Sequence, residues 1–289
     1  MKPAALLELP NPFATEHGSI RLLEAGAGDR STLLQRVLSG EYDRPFVIDD
    51  GTQRSLYFSL ALVQSVMRVA APDTLELAYT RKMMSFLLFL PRPHHILMFG
   101  LGGGSLLKFC RRHLPLTRLT AVEVHPDVIA FRDLFHIPPD DARLEIVLAD
   151  AADYIAACRD RPEVILMDAF DRHGCSLSTA CRAFYDRLRA MLAGNGVLVA
   201  NLAGSTEERE MHLAMIGHAF DDNYLVLPVR EGGNQIIVAF RDRQFEPRWK
   251  WIESQAPVLG KRYGLDFPFF VKKLDRRYMR SGALRQRSR

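Results

Sequence analysis

The chain has 289 residues, 48% of them hydrophobic and 25% charged, with a formal net charge of +4. That length can bury a full core as one large or two modest domains, and the composition excludes a disordered, collagenous or disulfide-dense chain. No apolar run approaches the ~18 residues of a membrane span; the best candidate, residues 83–90, is far too short.

The opening MKPAALLELPNPF has one Lys and no apolar core segment, so no signal peptide is expected. The first 90 residues read as a mixed, strand-rich segment. Phe46–Ile48 runs into the turn signal Asp49-Asp50-Gly51, and residues 55–63 mix aromatic and β-branched side chains. Asp73 or Thr74 is placed to cap a helix through Tyr79 to Leu90, which Pro91 and Pro93 end.

Strands and helices then alternate. Strands are expected over 96–99, 119–124, 144–148, 164–167 and 196–201. Helices are expected over 105–113, 126–135, 151–158, 179–192 and 207–220. Such alternation argues a parallel sheet with helices on both faces. The last two strands, 224–229 and 235–240, are joined by REGGN. That connection is too short for a parallel crossover, so the final strand should run antiparallel. A doubly wound sheet closed in this way resembles the class I methyltransferase fold and favours an S-adenosyl sulfonium over NAD. The domains expected are a β-rich 1–90, a Rossmann-like 91–245 and a basic tail 246–289.

Residues 241–289 carry 14 Lys/Arg against 5 Asp/Glu, a surplus of 9 that leaves the first 240 residues at −5. A basic end can meet nucleic acid or an anionic membrane; a solvated tail is the simpler reading of the charge. For Trp249 and Trp251, which alternate with Arg248 and Lys250, packing of the tail over the sheet or a partner subunit is expected rather than a nucleic-acid surface. Cys110, Cys158, Cys175 and Cys181 form no CxxC pair and have no metal-ligand spacing. They fit a reduced, cytoplasmic protein. His94-His95 reads as a solvated turn, and His125 and His173 as surface residues near the cleft.

Ligands of open α/β sheets bind beyond the carboxyl ends of the strands. After the first parallel strand comes a glycine turn, Gly100, Gly102, Gly103 and Gly104. Glycine lets the main chain approach a ligand and adopt positive φ. After the second strand stands Glu123, suited to accept ribose hydroxyl protons. Asp150 follows the third, where it can cap a helix or help read an adenine edge. Asp168 and Asp171 follow the fourth, in MDAFDRHG. A GxGxxG dinucleotide fingerprint would need glycine at 105, where Ser105 stands.

With these motifs assembled, residues from roughly Gln64 to Phe240 resemble the spermidine synthase (polyamine aminopropyltransferase) family, in its divergent, spermidine-synthase-like branch. ILMFGLGGGSLLKF is similar to its glycine loop, AVEVHPDVI to its ribose segment, VLADAADYI to its adenine segment and MDAFD to its catalytic loop. The resemblance implies that Gly100, Gly102, Gly104, Glu123 and Asp150 bind the nucleoside. It implies that Asp168 deprotonates the attacking amine, and that Asp171, Gln64 and Tyr79 help hold it. It also implies decarboxylated S-adenosylmethionine as co-substrate, a polyamine such as putrescine as acceptor, a homodimer, and no metal.

Three departures matter. Gly103 stands where the family carries an Asp facing the aminopropyl end of the donor. RHGCSLST replaces a Pro- and Gly-containing gate, and Thr80 replaces a His. Methyl transfer from intact S-adenosylmethionine and a non-catalytic nucleoside-binding role therefore stand beside aminopropyl transfer.

Overall fold

The computed structural model describes residues 5–13, 18–24, 29–168, 170–171, 174–175, 179–230 and 233–274. Its elements open with β1 (Ala5–Pro10), β2 (Ser19–Glu24), α1 (Arg30–Ser39), β3 (Phe46–Asp49), β4 (Gln53–Ser59) and β5 (Leu62–Arg68). The five strands pair antiparallel in sequence order. Asp29 caps α1 by accepting from the main-chain N–H groups of Ser31 and Thr32, and Gly40 closes it at φ 81°. The expected turn before β4 is present: Asp50 accepts from the N–H groups of Thr52 and Gln53, beside Gly51 at φ 87°. Leu9, Ile20, Leu22, Leu33, Val37, Tyr42 and Phe46 form one buried cluster, and the Phe46 and Tyr57 rings stack 5.5 Å apart.

The chain continues through α2 (Ala78–Met83), a 3-10 turn (Met84–Leu88), β6 (His95–Phe99), α3 (Ser105–His113), β7 (Arg118–Glu123) and α4 (Pro126–Ala130). Then come β8 (Leu144–Leu148), α5 (Ala151–Ala157), β9 (Val164–Met167), the short pair β10 (Phe170–Asp171) and β11 (Gly174–Cys175), and α6 (Arg182–Met191). The described chain ends with β12 (Val197–Leu202), α7 (Thr206–Ala219), β13 (Tyr224–Pro228), β14 (Gln235–Phe240), α8 (Trp249–Tyr263) and a helix over 267–274. Two compact units result. One comprises residues 1–77, 101–112 and 125–139; the other comprises 78–100, 113–124 and 140–289.

The second unit holds a seven-stranded sheet in the order β13-β14-β12-β9-β6-β7-β8. Strands β8, β7, β6, β9 and β12 are parallel, and β14 runs antiparallel to β12 and β13, as the short REGGN connection requires. Alternate residues Leu97 and Phe99, Ile165 and Met167, Leu198 and Ala200 turn to one face. There they meet Ile155 of α5, Phe184 and Leu188 of α6 and Ile216 of α7. The intervening Ile96, Met98, Leu166, Val199 and Val238 are buried as well, which is why these strands read as unbroken apolar runs.

Four elements differ from expectation. The helix foreseen over 79–90 is a short α2 followed by the 3-10 turn; Asp73 lies five residues before it and pairs with Arg112 at 2.8 Å. The helix foreseen over 126–135 stops at Ala130. His95 is no solvated turn: it opens β6 and is 6% exposed. Residues 249–274 are not a loose tail, since Ile252, Ala256, Leu259 and Tyr263 bury one stripe of α8 and Phe267, Phe270 and Leu274 follow. Among the described residues no helix is long and apolar enough to cross a membrane.

Candidate active site

The parallel register brings the sequence-derived acids of the second unit to one rim of its sheet. Phe99, the last residue of β6, is level with Val122 of β7 and Met167 of β9. Met167 is level with Ala200 of β12, and Glu123 with Leu148 of β8. The next residues are therefore Gly100, Glu123, Asp168 and Asn201, with Asp150 two places beyond β8. Main-chain bonds hold the rim. Gly100 N–H donates to Val122 O at 2.9 Å, Asp168 N–H to Phe99 O at 2.9 Å, and Ala149 N–H to Glu123 O at 3.0 Å.

Each acid has a distinct environment. Glu123 is 7% exposed, unusual for a carboxylate unless it is paired or serves a ligand. Asp150 caps α5, accepting from the N–H groups of Ala152 at 2.8 Å and Asp153 at 3.4 Å through one oxygen, Oδ1. Its structural task is thus defined, whatever else it binds. Asp168 accepts from Asn201 Nδ2 at 2.8 Å and from the Tyr79 hydroxyl, which reaches it from α2. Burial pushes the Asp168 carboxyl up, while the bonds from Asn201 and Tyr79 pull it down. Tyr79 is held well above the ordinary phenol range by burial first, then by the Asp168 charge and hydrogen bond.

Asn201 was not among the residues expected from the sequence, where three strand ends are marked by acids and a fourth by the glycine turn. Its signal is the lone amide in the otherwise apolar strand VLVANL. Asn201 Oδ1 in turn accepts from Asn234 Nδ2 at 3.0 Å.

The first unit contains the rest of the glycine turn and Gln64, and it explains two of the glycines by packing. A Cβ on Gly103 would fall 2.7 Å from Ser65 Oγ and 2.8 Å from the Phe135 ring; one on Gly104 would fall 2.6 Å from Ile137. Gly102 and Gly104 also have positive φ, as does Gly100 of the other unit. Gln64 is half-buried on β5, directly before Ser65. His125, expected at the surface, caps α4 through Nδ1, 3.3 Å from the Asp127 N–H.

Asp171 lies in β10, paired with Gly174 of β11; its side chain, that of Cys175 and the other gate residues 172–173 and 176–178 lie outside the described residues. No group of three or more His, Cys, Asp or Glu is arranged to hold a metal among the described residues. An open groove of about 470 Å³ lies between α5 and α6, lined by Cys158, Arg159, Arg161 and Arg187 among others, and includes none of the rim acids.

Comparison with known proteins converges on one family. Residues 76–228 match the model of the spermine/spermidine synthase domain. A polyamine aminopropyltransferase of Chromobacterium violaceum is 34% identical over 229 residues, 79% of this chain and 88% of that protein. A spermidine synthase solved in complex with the transition-state analogue AdoDATO superposes with a TM-score of 0.58 at 17% identity, covering 77% of this chain and 86% of that one. Human methyltransferase-like protein 13, solved with SAH, superposes with a TM-score of 0.53 at 22% identity, covering 68% and 93%. The two structures share the class I methyltransferase-like fold, whose strand order and antiparallel closing strand are those described above. The chain belongs to the spermine/spermidine synthase family, a group of aminopropyl-transferring enzymes.

Proposed function

We propose that the chain transfers an aminopropyl group from decarboxylated S-adenosylmethionine to a small aliphatic polyamine such as putrescine. The observation that carries this reading is the Asp168 carboxylate at the end of β9, held by Tyr79 and Asn201. A polyamine is cationic at neutral pH and must lose a proton before it can attack. A carboxylate attracts the cation, and one whose proton affinity is raised by burial is a better base for it. The freed nitrogen lone pair forms a C–N bond at the propyl carbon beside the sulfonium. The C–S bond breaks, its electron pair stays on sulfur, and methylthioadenosine leaves; the amine proton goes to Asp168. In this reading Glu123 accepts the ribose hydroxyl protons, and the cap at Asp150 lies beside the adenine.

One observation favours a second reading, methyl transfer from intact S-adenosylmethionine. The place of the family's donor-facing Asp is Gly103, and Ser65 and Phe135 fill the space a side chain would need. Without that acid, one source of repulsion against the donor's carboxylate is gone.

The purified protein incubated with putrescine or spermidine and each donor in turn decides between the two. Methylthioadenosine from the decarboxylated donor supports aminopropyl transfer. S-adenosylhomocysteine from intact S-adenosylmethionine supports the second reading and overturns the first.

A further inference from the structure

We infer that Asn201 and Asn234 form an amide relay that positions Asp168 and keeps its carboxylate facing a donor. The inference rests on the reading of Asp168 as the base. Asn201 is 3% exposed, within a strand whose other side chains are all apolar. A buried amide has to satisfy both its ends. Its Nδ2 donates to Asp168 Oδ1 at 2.8 Å, and its Oδ1 accepts from Asn234 Nδ2 at 3.0 Å.

The relay has a direction. An ionised carboxylate can only accept, so Asn201 must turn its NH₂ group toward Asp168. Its oxygen then points the other way, where only a donor suits it. Asn234 supplies that donor from the β13–β14 hairpin, one residue before β14. The antiparallel register sets Leu202 opposite Gln235 and Asn201 opposite Ile236, so the hairpin brings Asn234 to the same end of β12. A flipped Asn201 would present its oxygen to Asp168, an arrangement that only a protonated Asp168 could satisfy. With Asn234 Nδ2 turned to Asn201, that flip would set two NH₂ groups against each other, so Asn234 opposes it without touching Asp168.

Among the described residues, few ionisable groups come near this carboxylate. Tyr79 from α2 bonds it directly. Lys82, also on α2, is turned to Pro228 O of β13 at 2.6 Å. From β6 the Phe99 carbonyl accepts only from the Asp168 main-chain N–H, and β12 contributes the neutral Asn201.

The test uses Asn234→Leu, which removes the donor without adding a charge, together with Asn201→Leu. Circular dichroism and melting temperature establish that each variant folds. The carboxyl titration of Asp168, followed by its 13C chemical shift, should move up by about one pH unit in both variants. The acid limb of kcat/KM for the amine should move with it, and donor affinity should hold. Asn234→Gln, which restores a donor, should recover part of the shift. Folded variants with an unmoved Asp168 titration overturn the relay even where Asp168→Asn is inactive. A fully active Asp168→Asn removes the base reading instead, whatever the titration shows, and the relay's catalytic role with it.

Discussion

Lys108 donates from Nζ to the main-chain carbonyl of Phe135 across 2.6 Å and lies 3.1 Å from Met67 Sδ. Its side chain is almost wholly buried on α3. Burial lowers its ammonium from 10.5 to about 8, with the Asp73 charge opposing. Between those two values the unfolded chain binds more protons than the folded one, so unfolding takes up a proton and stability rises with pH. The slope approaches about 1.4 kcal/mol per pH unit where this group dominates. Urea unfolding at pH 7.5 and pH 9.5 should show that gain in the wild type, and Lys108→Met should lose it. An equal gain in both proteins would assign the dependence to other groups.

His95 gives the same sign in acid. Arg118 can only donate, and its guanidinium lies 3.0 Å from His95 Nδ1, so Nε2 carries the hydrogen and faces Thr120 Oγ1 at 3.1 Å. Burial first, then the Arg118 charge, lowers the imidazole from 6.5 to about 4. The neutral ring's contribution is complete above pH 6.5 and drains away as the pH falls toward 4. Thermal melts from pH 7.5 to 4.5 should show a steeper loss for the wild type than for His95→Leu. Parallel curves would contradict this.

Gly103 is required by space rather than by its dihedral angles. Ser65 Oγ could rotate from a new Cβ, but the Phe135 ring is fully buried. Gly103→Ala should cost about 1–3 kcal/mol by overpacking, and Gly103→Asp more, since its carboxylate has to displace the same ring. Denaturant midpoints measure both. A stable Gly103→Asp variant would mean that the ring yields, and would reopen the place of the family acid.

The sequence carried the parallel sheet further than its surroundings. Strands β6, β9 and β14 lie almost where their apolar runs place them, because a strand buried on both faces leaves no alternation to misread. The 3-10 turn was not legible for a related reason: residues 84–88 are buried all round, so no periodicity separates one helix type from another. The stripe Ile252, Ala256, Leu259, Tyr263 has helical spacing, yet the surplus of basic residues drew the reading toward a solvated tail. Glu123, Asp150 and Asp168 were legible because strand ends can be counted along the chain. Asn201 sits at such an end too, but an uncharged amide was not counted. Asn234 becomes visible only when the hairpin register is known. The packing need for Gly103 comes from Ser65 and Phe135, 38 and 32 residues away in the chain, which no local pattern reveals.

The most direct test of the account is a single-turnover comparison of wild type and Asp168→Asn with decarboxylated S-adenosylmethionine and putrescine. Donor affinity is measured on the same samples by calorimetry. The account predicts similar donor binding in both proteins, with methylthioadenosine release slowed about 100-fold or more in the variant, the scale of a lost general base. Release at the wild-type rate from Asp168→Asn would contradict it.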